Sequence, residues 1–273
     1  MARKFDRVPE LSLSDYTSGD EAARARFIGA LDEGFRYFGF IILKDHRVSR
    51  DLLARAYEMS RGFFALPEAG EPDRRSIYCG SVTVRASGLR LIENFLDLAH
   101  FPYVHTDILG EEAHPEVAKY EVEHRRDVDE LWATKCEFYQ PRAAASSEGG
   151  QISRYMYRVV SPFNVMLYKT PPSAPNRWDV IALFVQPVEP TLSRAHMLML
   201  VIDDSSSDAE LVAFQQMIFL QDKIVLENQR PLLLPLQPGR ESPTRADLSS
   251  VLYRRWLKEK RLGYGVEEPV QLA

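Results

Sequence analysis

Cysteine is scarce in this chain, with two residues, Cys79 and Cys136, among 273. Neither stands in a Cys-x-x-Cys or Cys-x-His pair, the spacing that zinc and iron–sulfur ligation needs. Both therefore read as reduced thiols. Long apolar runs are missing as well. No stretch approaches the roughly 20 residues that span a bilayer, and the opening Met-Ala-Arg-Lys-Phe-Asp lacks the apolar core of a signal peptide. The expected compartment is cytoplasmic, with no membrane contact. An excess of positive charge is also absent: the net charge is −5, which gives no reason to expect a nucleic-acid partner. What remains is ordinary for a globular protein, 45% hydrophobic and 27% charged. The length suffices for one large domain or two small ones.

Helical spacing of Phe27, Leu31, Phe35 and Phe38 predicts an amphipathic helix over 21–38, ended by Gly39 and followed by a short strand at 40–43. Residues 45–48 turn into a second predicted helix, about 49–66, with Ser49 as its N-cap. Pro67, Gly70 and Pro72 break that pattern, so 67–75 reads as a linker. It separates an N-terminal segment, 1–72, from a second domain, 80–273. There, 82–84 is a predicted strand, 127–139 is ambiguous and 142–151 is a loop by composition. Strand-like runs follow at 152–169, 178–188 and 194–203. In the last, His196, Leu198, Leu200 and Ile202 alternate with Ala195, Met197, Met199 and Val201. Two apolar faces predict an internal strand packed on both sides. A turn at 203–208 caps a long predicted helix, 209–229, and a basic, Pro-rich tail holds a short helix near 249–261. Strands first and a long helix after them make an α+β pattern.

The chemistry concentrates in Asp97-x-x-His100-x-x-x-x-His105. Asp97 and His100, three apart, share a helical face. His100 and His105, five apart, would splay by about 140° on an unbroken helix. Pro102 lies between them and is expected to kink or stop the helix, which could turn both imidazoles toward one point. Two imidazoles lack only a carboxylate to form a facial triad for iron. The predicted helix 209–229 offers Asp222, within about 60° of Leu211 and on one stripe with Phe214, Ile218 and Val225. An acid in an apolar stripe needs a cation, because an unpaired buried charge is costly. A divalent metal is one candidate; Arg or Lys is the other. Asp97 would orient a histidine from behind the metal or cap the kink. Asn164, Met166 and His196 are candidate substrate-pocket residues, although His196 reads more readily as a core histidine with a backbone partner. His114 and His124 are expected in solvent.

The run 91–110, Leu-Ile-Glu-Asn-Phe-Leu-Asp-Leu-Ala-His-Phe-Pro-Tyr-Val-His-Thr-Asp-Ile-Leu-Gly, resembles the iron-binding segment of Rieske non-haem iron oxygenases. The likeness is to their vanillate-demethylase and phthalate-dioxygenase branch. It continues through Gln221-Asp-Lys-Ile-Val-Leu-Glu-Asn-Gln229 and Pro243-Thr-Arg-Ala-Asp247 to Tyr253-Arg-Arg-Trp256, covering roughly 80–265. The resemblance implies a helix-grip fold of the START and Bet v1 type, an antiparallel sheet wrapped on a long C-terminal helix. It implies Fe(II) on His100, His105 and Asp222, with Asn94 near the iron and Asp97 bridging to the Rieske centre of a neighbouring subunit in a homotrimer. The family's cluster-binding Cys-x-His and Cys-x-x-His pairs do not occur in these residues. Electrons are therefore expected from a separate partner, a [2Fe-2S] Rieske protein or a reductase. Residues 8–68 resemble instead the N-terminal region of isopenicillin-N-synthase-like, 2-oxoglutarate-dependent oxygenases. Phe35-Arg-Tyr-Phe-Gly-Phe-Ile-Ile-Leu-Lys-Asp-His46 and Phe63-Phe-Ala-Leu-Pro67 carry that likeness. The segment is structural in that family, which makes His46 a turn residue.

The expected function is O2 activation at Fe(II), as a mono- or dioxygenase that hydroxylates or O-demethylates an aromatic or similar small organic substrate. Two alternatives stand beside it. One is a non-catalytic helix-grip module, for binding or regulation. The other is a 2-oxoglutarate-dependent oxygenase built on His105-x-Asp107, His196 and Arg240-x-Ser242, in the right order but at poor spacing.

Overall fold

Parallel strands need a crossover between them, and the N-terminal unit supplies a helical one. Strands β1 (Glu10–Ser12) and β2 (Ile42–Lys44) pair in parallel, Leu11 opposite Leu43. Helices α1 (Leu13–Thr17) and α2 (Glu21–Phe38) connect them. Ala23 and Phe27 of α2 are buried, whereas Phe35, expected on the same stripe, is exposed. The computed structural model describes residues 8–38, 41–46, 48–51, 54 and 74–267. Most of the predicted helix 49–66 and nearly all of the linker 67–75 lie outside them. The chain divides into two compact units, Met1–Pro72 and Asp73–Ala273.

The second unit is built on seven antiparallel strands: β3 (Arg75–Val84), β4 (Glu121–Arg125), β5 (Glu130–Gln140), β6 (Gln151–Ser161), β7 (Asn164–Lys169), β8 (Asp179–Glu189) and β9 (Leu192–Val201). Their spatial order is β3-β9-β8-β7-β6-β5-β4. The ambiguous stretch 127–139 is thus largely strand, and the run 152–169 is two strands turned at Pro162 and Phe163. Side chains alternate across each strand. Val165, Leu167 and Lys169 of β7 are buried; so are Ala195, Met197, Met199 and Val201 of β9. Their alternates, including His196, Leu198 and Leu200, stay half-buried. Strand β9 is internal in the sheet, as expected, yet tightly covered on one face only.

The covering element is α5 (Asp208–Asn228), started by a capping box in which Ser207 and Glu210 satisfy each other's backbone N–H groups. Its buried face is Leu211, Gln215, Ile218, Phe219, Asp222 and Leu226. Phe214 is only partly buried and Val225 is exposed, so the stripe lies slightly turned from the expected one. The helix meets β3 at a bulge. Gly80, at φ +80, breaks the register between Tyr78 and Ser81, and Gln216 Nε2 donates to the Cys79 carbonyl at 2.8 Å. Helix α6 (Leu248–Glu259) buries Tyr253, Trp256 and Leu257. A sheet closed on one long helix is the helix-grip arrangement. Among the described residues no helix is long and apolar enough to cross a membrane.

Candidate metal centre

Helix α3 (Gly88–Leu96) begins at Ser87, whose Oγ accepts from the Leu89 amide. It stops at Asp97, where the backbone turns extended (φ −83, ψ 129). The Asp97 carboxylate accepts from the Ala99 amide at 2.8 Å, closing a tight turn. Asp97 and His100 are therefore related by a turn and not by a shared helical face. Helix α4 (Phe101–Val104) follows, flanked by His100 and His105. Pro102 opens this helix instead of kinking one, because an N–H in the first turn has no intrahelical partner to lose. The break expected at Pro102 occurs just before it. Its effect on the imidazoles is the one the spacing required.

His100 Nε2 and His105 Nε2 lie 3.2 Å apart, and Asp222 Oδ1 from α5 is 3.3 and 3.1 Å from them. Behind this triangle, His100 Nδ1 faces Asp97 Oδ2 at 3.2 Å and His105 Nδ1 faces Gln221 Oε1 at 2.8 Å. Both partners are acceptors, so each Nδ1 carries the proton. In the neutral rings both Nε2 atoms then offer lone pairs to the same point as a carboxylate oxygen. Asp222 Oδ1 is buried and has no hydrogen-bond partner. Three converging acceptors repel one another unless a cation sits among them, and two imidazoles with one carboxylate suit iron. The donor set fits the metal. Among the described residues this is the one group of three or more metal-ligating side chains that converges in this way.

The charges agree. Burial disfavours the His100 imidazolium, but the Asp222 and Asp97 carboxylates outweigh it and raise His100 to about 9. Burial also works against the Asp222 carboxylate, yet the two imidazoles hold it well below the usual range. The centre favours positive charge at its middle.

From the triad a cavity runs between α5 and the inner face of the sheet, lined by apolar groups such as Phe101, Leu167, Met199 and Ile218. A second hollow touches Asp97 and His100 from the other side and is bounded by Arg90, Glu93, Glu241 and Arg254. Asn94 lines both. Asp97 is therefore placed behind His100 and beside the second hollow.

Three expected pocket residues are not brought there. Asn164 and Met166 alternate with the inward-facing Val165 and Leu167, and so fall on the outer face of β7. His196 is on the outer face of β9, with Nδ1 3.1 Å from the Tyr78 hydroxyl and Nε2 3.4 Å from Gln186 Oε1. The error was one of parity, since both faces of these strands carry apolar residues. The same placement removes the 2-oxoglutarate alternative: His196 is remote from the triad's face of the sheet, and Arg240 is engaged with Glu267. His124, expected in solvent, is half-buried and pairs with Asp129 at 3.1 Å; His114 is exposed.

Sequence reasoning missed Gln221, Lys169 and Asp179. Gln221 adjoins a predicted ligand but carries no pattern that assigns it to His105. Lys169 had a legible signal. It continues the inward series Val165, Leu167, where a charge is out of place.

Comparison with known proteins is consistent with this geometry. The family described as the vanillate O-demethylase oxygenase C-terminal domain matches residues 84–262, and the non-haem dioxygenase N-terminal family matches 8–71. The chain is 49% identical over 205 residues to a probable methylxanthine N7-demethylase of Pseudomonas sp. (strain TJI-51), covering 75% of this chain and 73% of that protein. It is 26% identical over 200 residues to a methylxanthine N3-demethylase of Pseudomonas putida, covering 72% and 53%. Among solved structures, Pseudomonas putida CBB5 NdmA with caffeine aligns with a TM-score of 0.58 at 22% identity, covering 71% of this chain and 54% of that one. Dicamba monooxygenase with dichlorosalicylic acid aligns at 0.52 and 16% identity, covering 69% and 59%. The chain spans about half the length of the Pseudomonas putida proteins it matches.

Proposed function

The chain belongs to the Rieske non-haem iron oxygenases, as their vanillate-demethylase-type catalytic domain, and on that premise we propose that it is the oxygen-activating part of a demethylase. His100, His105 and Asp222 would hold Fe(II) on one face and leave the opposite face open. The bound metal supplies reductive activation of O2. The chain's own residues do the rest. Asp97 and Gln221 hold the two imidazoles in the Nδ1–H tautomer, which fixes their orientation and keeps Nε2 free to bind. The apolar cavity seats the substrate beside the triad and excludes bulk water.

Electrons are assigned to a separate [2Fe-2S] protein or reductase that docks at the hollow beside Asp97. The relatives' activity makes methylated purinediones the first substrate class to try, ahead of simple aromatic ethers. A homotrimer would carry that docking face from one subunit to the next.

One observation supports this reading above the others: Nε2 of both imidazoles and Asp222 Oδ1 meet at 3.1–3.3 Å, and the buried Asp222 Oδ1 has no hydrogen-bond partner. A non-catalytic helix-grip module would have no use for such a group. Anaerobic addition of Fe(II), followed by a metal count after desalting, tests it. The wild type should retain about one iron per chain, and His100→Ala and Asp222→Ala should retain almost none. Iron retained equally by all three proteins, or by none, would falsify the reading.

A further inference from the structure

The same cavity holds a second buried charge that metal binding does not explain. Lys169, 7% exposed, stands at the inward end of β7, and its register partner across β8 is Asp179, 8% exposed. Both side chains line the cavity that reaches the triad. Two aromatic rings separate the lysine from the histidines. Phe101 is centred 6.1 Å from the His105 ring and 6.2 Å from Tyr155, and the ammonium lies 5.9 Å from the Tyr155 centroid.

An ammonium has three N–H donors. Among the described residues the one hydrogen bond of Lys169 Nζ goes to the Ala143 carbonyl. Asp179 accepts from the Ile202 amide at 2.8 Å and forms no ion pair of bonding length with Lys169. Buried donors are ordinarily satisfied, by protein, by water or by a ligand. The Tyr157 hydroxyl, also buried on this cavity, has no hydrogen-bond partner.

We propose that Lys169 is a specificity-determining residue, donating to a ring carbonyl oxygen of the substrate while the substrate's methyl group faces the triad. The ligand class follows from charge balance. Lys169 and Asp179 sum to zero, and Asp203, which also lines the cavity, is an acid. A carboxylate entering this cavity would be an uncompensated charge in an apolar space. A neutral carbonyl would not. The site therefore selects neutral oxo-heterocycles, cyclic ureas and imides, over carboxylated rings of the benzoate type. Burial holds the ammonium down to about 8 and the Asp179 carboxyl up to about 6, so both are charged near neutral pH. This inference rests on the cavity being the substrate site of the proposed oxygenase.

Calorimetric titration of the full chain, with and without Fe(II), with caffeine and with 4-methoxybenzoate reads it directly. Wild-type protein should bind caffeine at least tenfold more tightly than the benzoate, and Lys169→Met should lose at least tenfold for caffeine. Asp179→Asn should gain at least tenfold for 4-methoxybenzoate, because the lysine charge is then uncompensated. That gain requires a folded protein, so it decides the matter even if Lys169→Met does not fold. A wild type that prefers the benzoate, or caffeine binding indifferent to Lys169→Met, overturns the proposal. Lysine-dependent caffeine binding by a chain that takes up no iron would uphold it and sink the metal reading instead.

Discussion

The hollow behind α3 and the cavity beneath α5 both bury charge, but they treat it differently. Around the hollow, Arg90 reaches Glu93 at 3.1 Å, Glu241 at 2.5 Å and the Pro231 carbonyl at 3.0 Å, and Arg254 reaches both acids as well. Glu93 and Glu241 each face a guanidinium, and Asp97 is taken by the Ala99 amide and His100. In the cavity Asp222 Oδ1 has no hydrogen-bond partner, and Lys169 has donors with a single acceptor. The paired charges hold α3 in position, although Arg90 Nε is buried without a partner. The cavity's groups are not paired with opposite charge at bonding distance and are open to something that binds.

The comparison breaks first at Arg90. Arg90→Met leaves Glu93 and Glu241 short of a buried partner and should cost about 3–5 kcal/mol in denaturant unfolding. A loss below about 1 kcal/mol would mean that the network is ornamental. Next come the residues that orient the ligands. Gln221→Leu and Asp97→Leu should each weaken Fe(II) affinity roughly 10–100-fold without moving the metal-free unfolding midpoint comparably. Equal losses in both measurements would make these residues part of the framework.

A pH profile sharpens the lysine side. Burial lowers Lys169 from 10.5 to about 8, so the folded state binds its proton less tightly than the unfolded chain does. Stability should therefore rise as pH climbs from about 8 to about 9.5, by up to about 2 kcal/mol. Lys169→Met should flatten that rise relative to wild type. The smallest effect belongs to the outer face. His196→Ala, half-buried beside Tyr78, should change stability by no more than about 0.5 kcal/mol and leave iron binding untouched. A measured loss of iron there would contradict the sidedness of the sheet.

Much of the fold was legible. The expected long helix, 209–229, is observed at Asp208–Asn228, because a polar capping run followed by helical spacing marks it locally. The strands 178–188 and 194–203 are found within a few residues of their predicted bounds. The triad was legible in part, since His100 and His105 lie close together in the sequence and Asp222 is an acid out of place among apolar neighbours. Lys169 offered the same kind of signal and went unnoticed, because a single charge at a strand's end also suits a surface position.

By itself the sequence determined local matters: where chains of apolar residues repeat, where a helix starts, and which titratable groups sit where water should not be. Those depend on neighbours a few residues apart. Only the tertiary structure decided which face of β7 and β9 turns inward, that Gln221 meets His105 across 116 residues, and that Lys169 shares a cavity with the triad. Each of these is a relation between distant segments, fixed by strand register and by the rotation of α5 about its axis. A strand with two apolar faces carries no local record of which one will be covered.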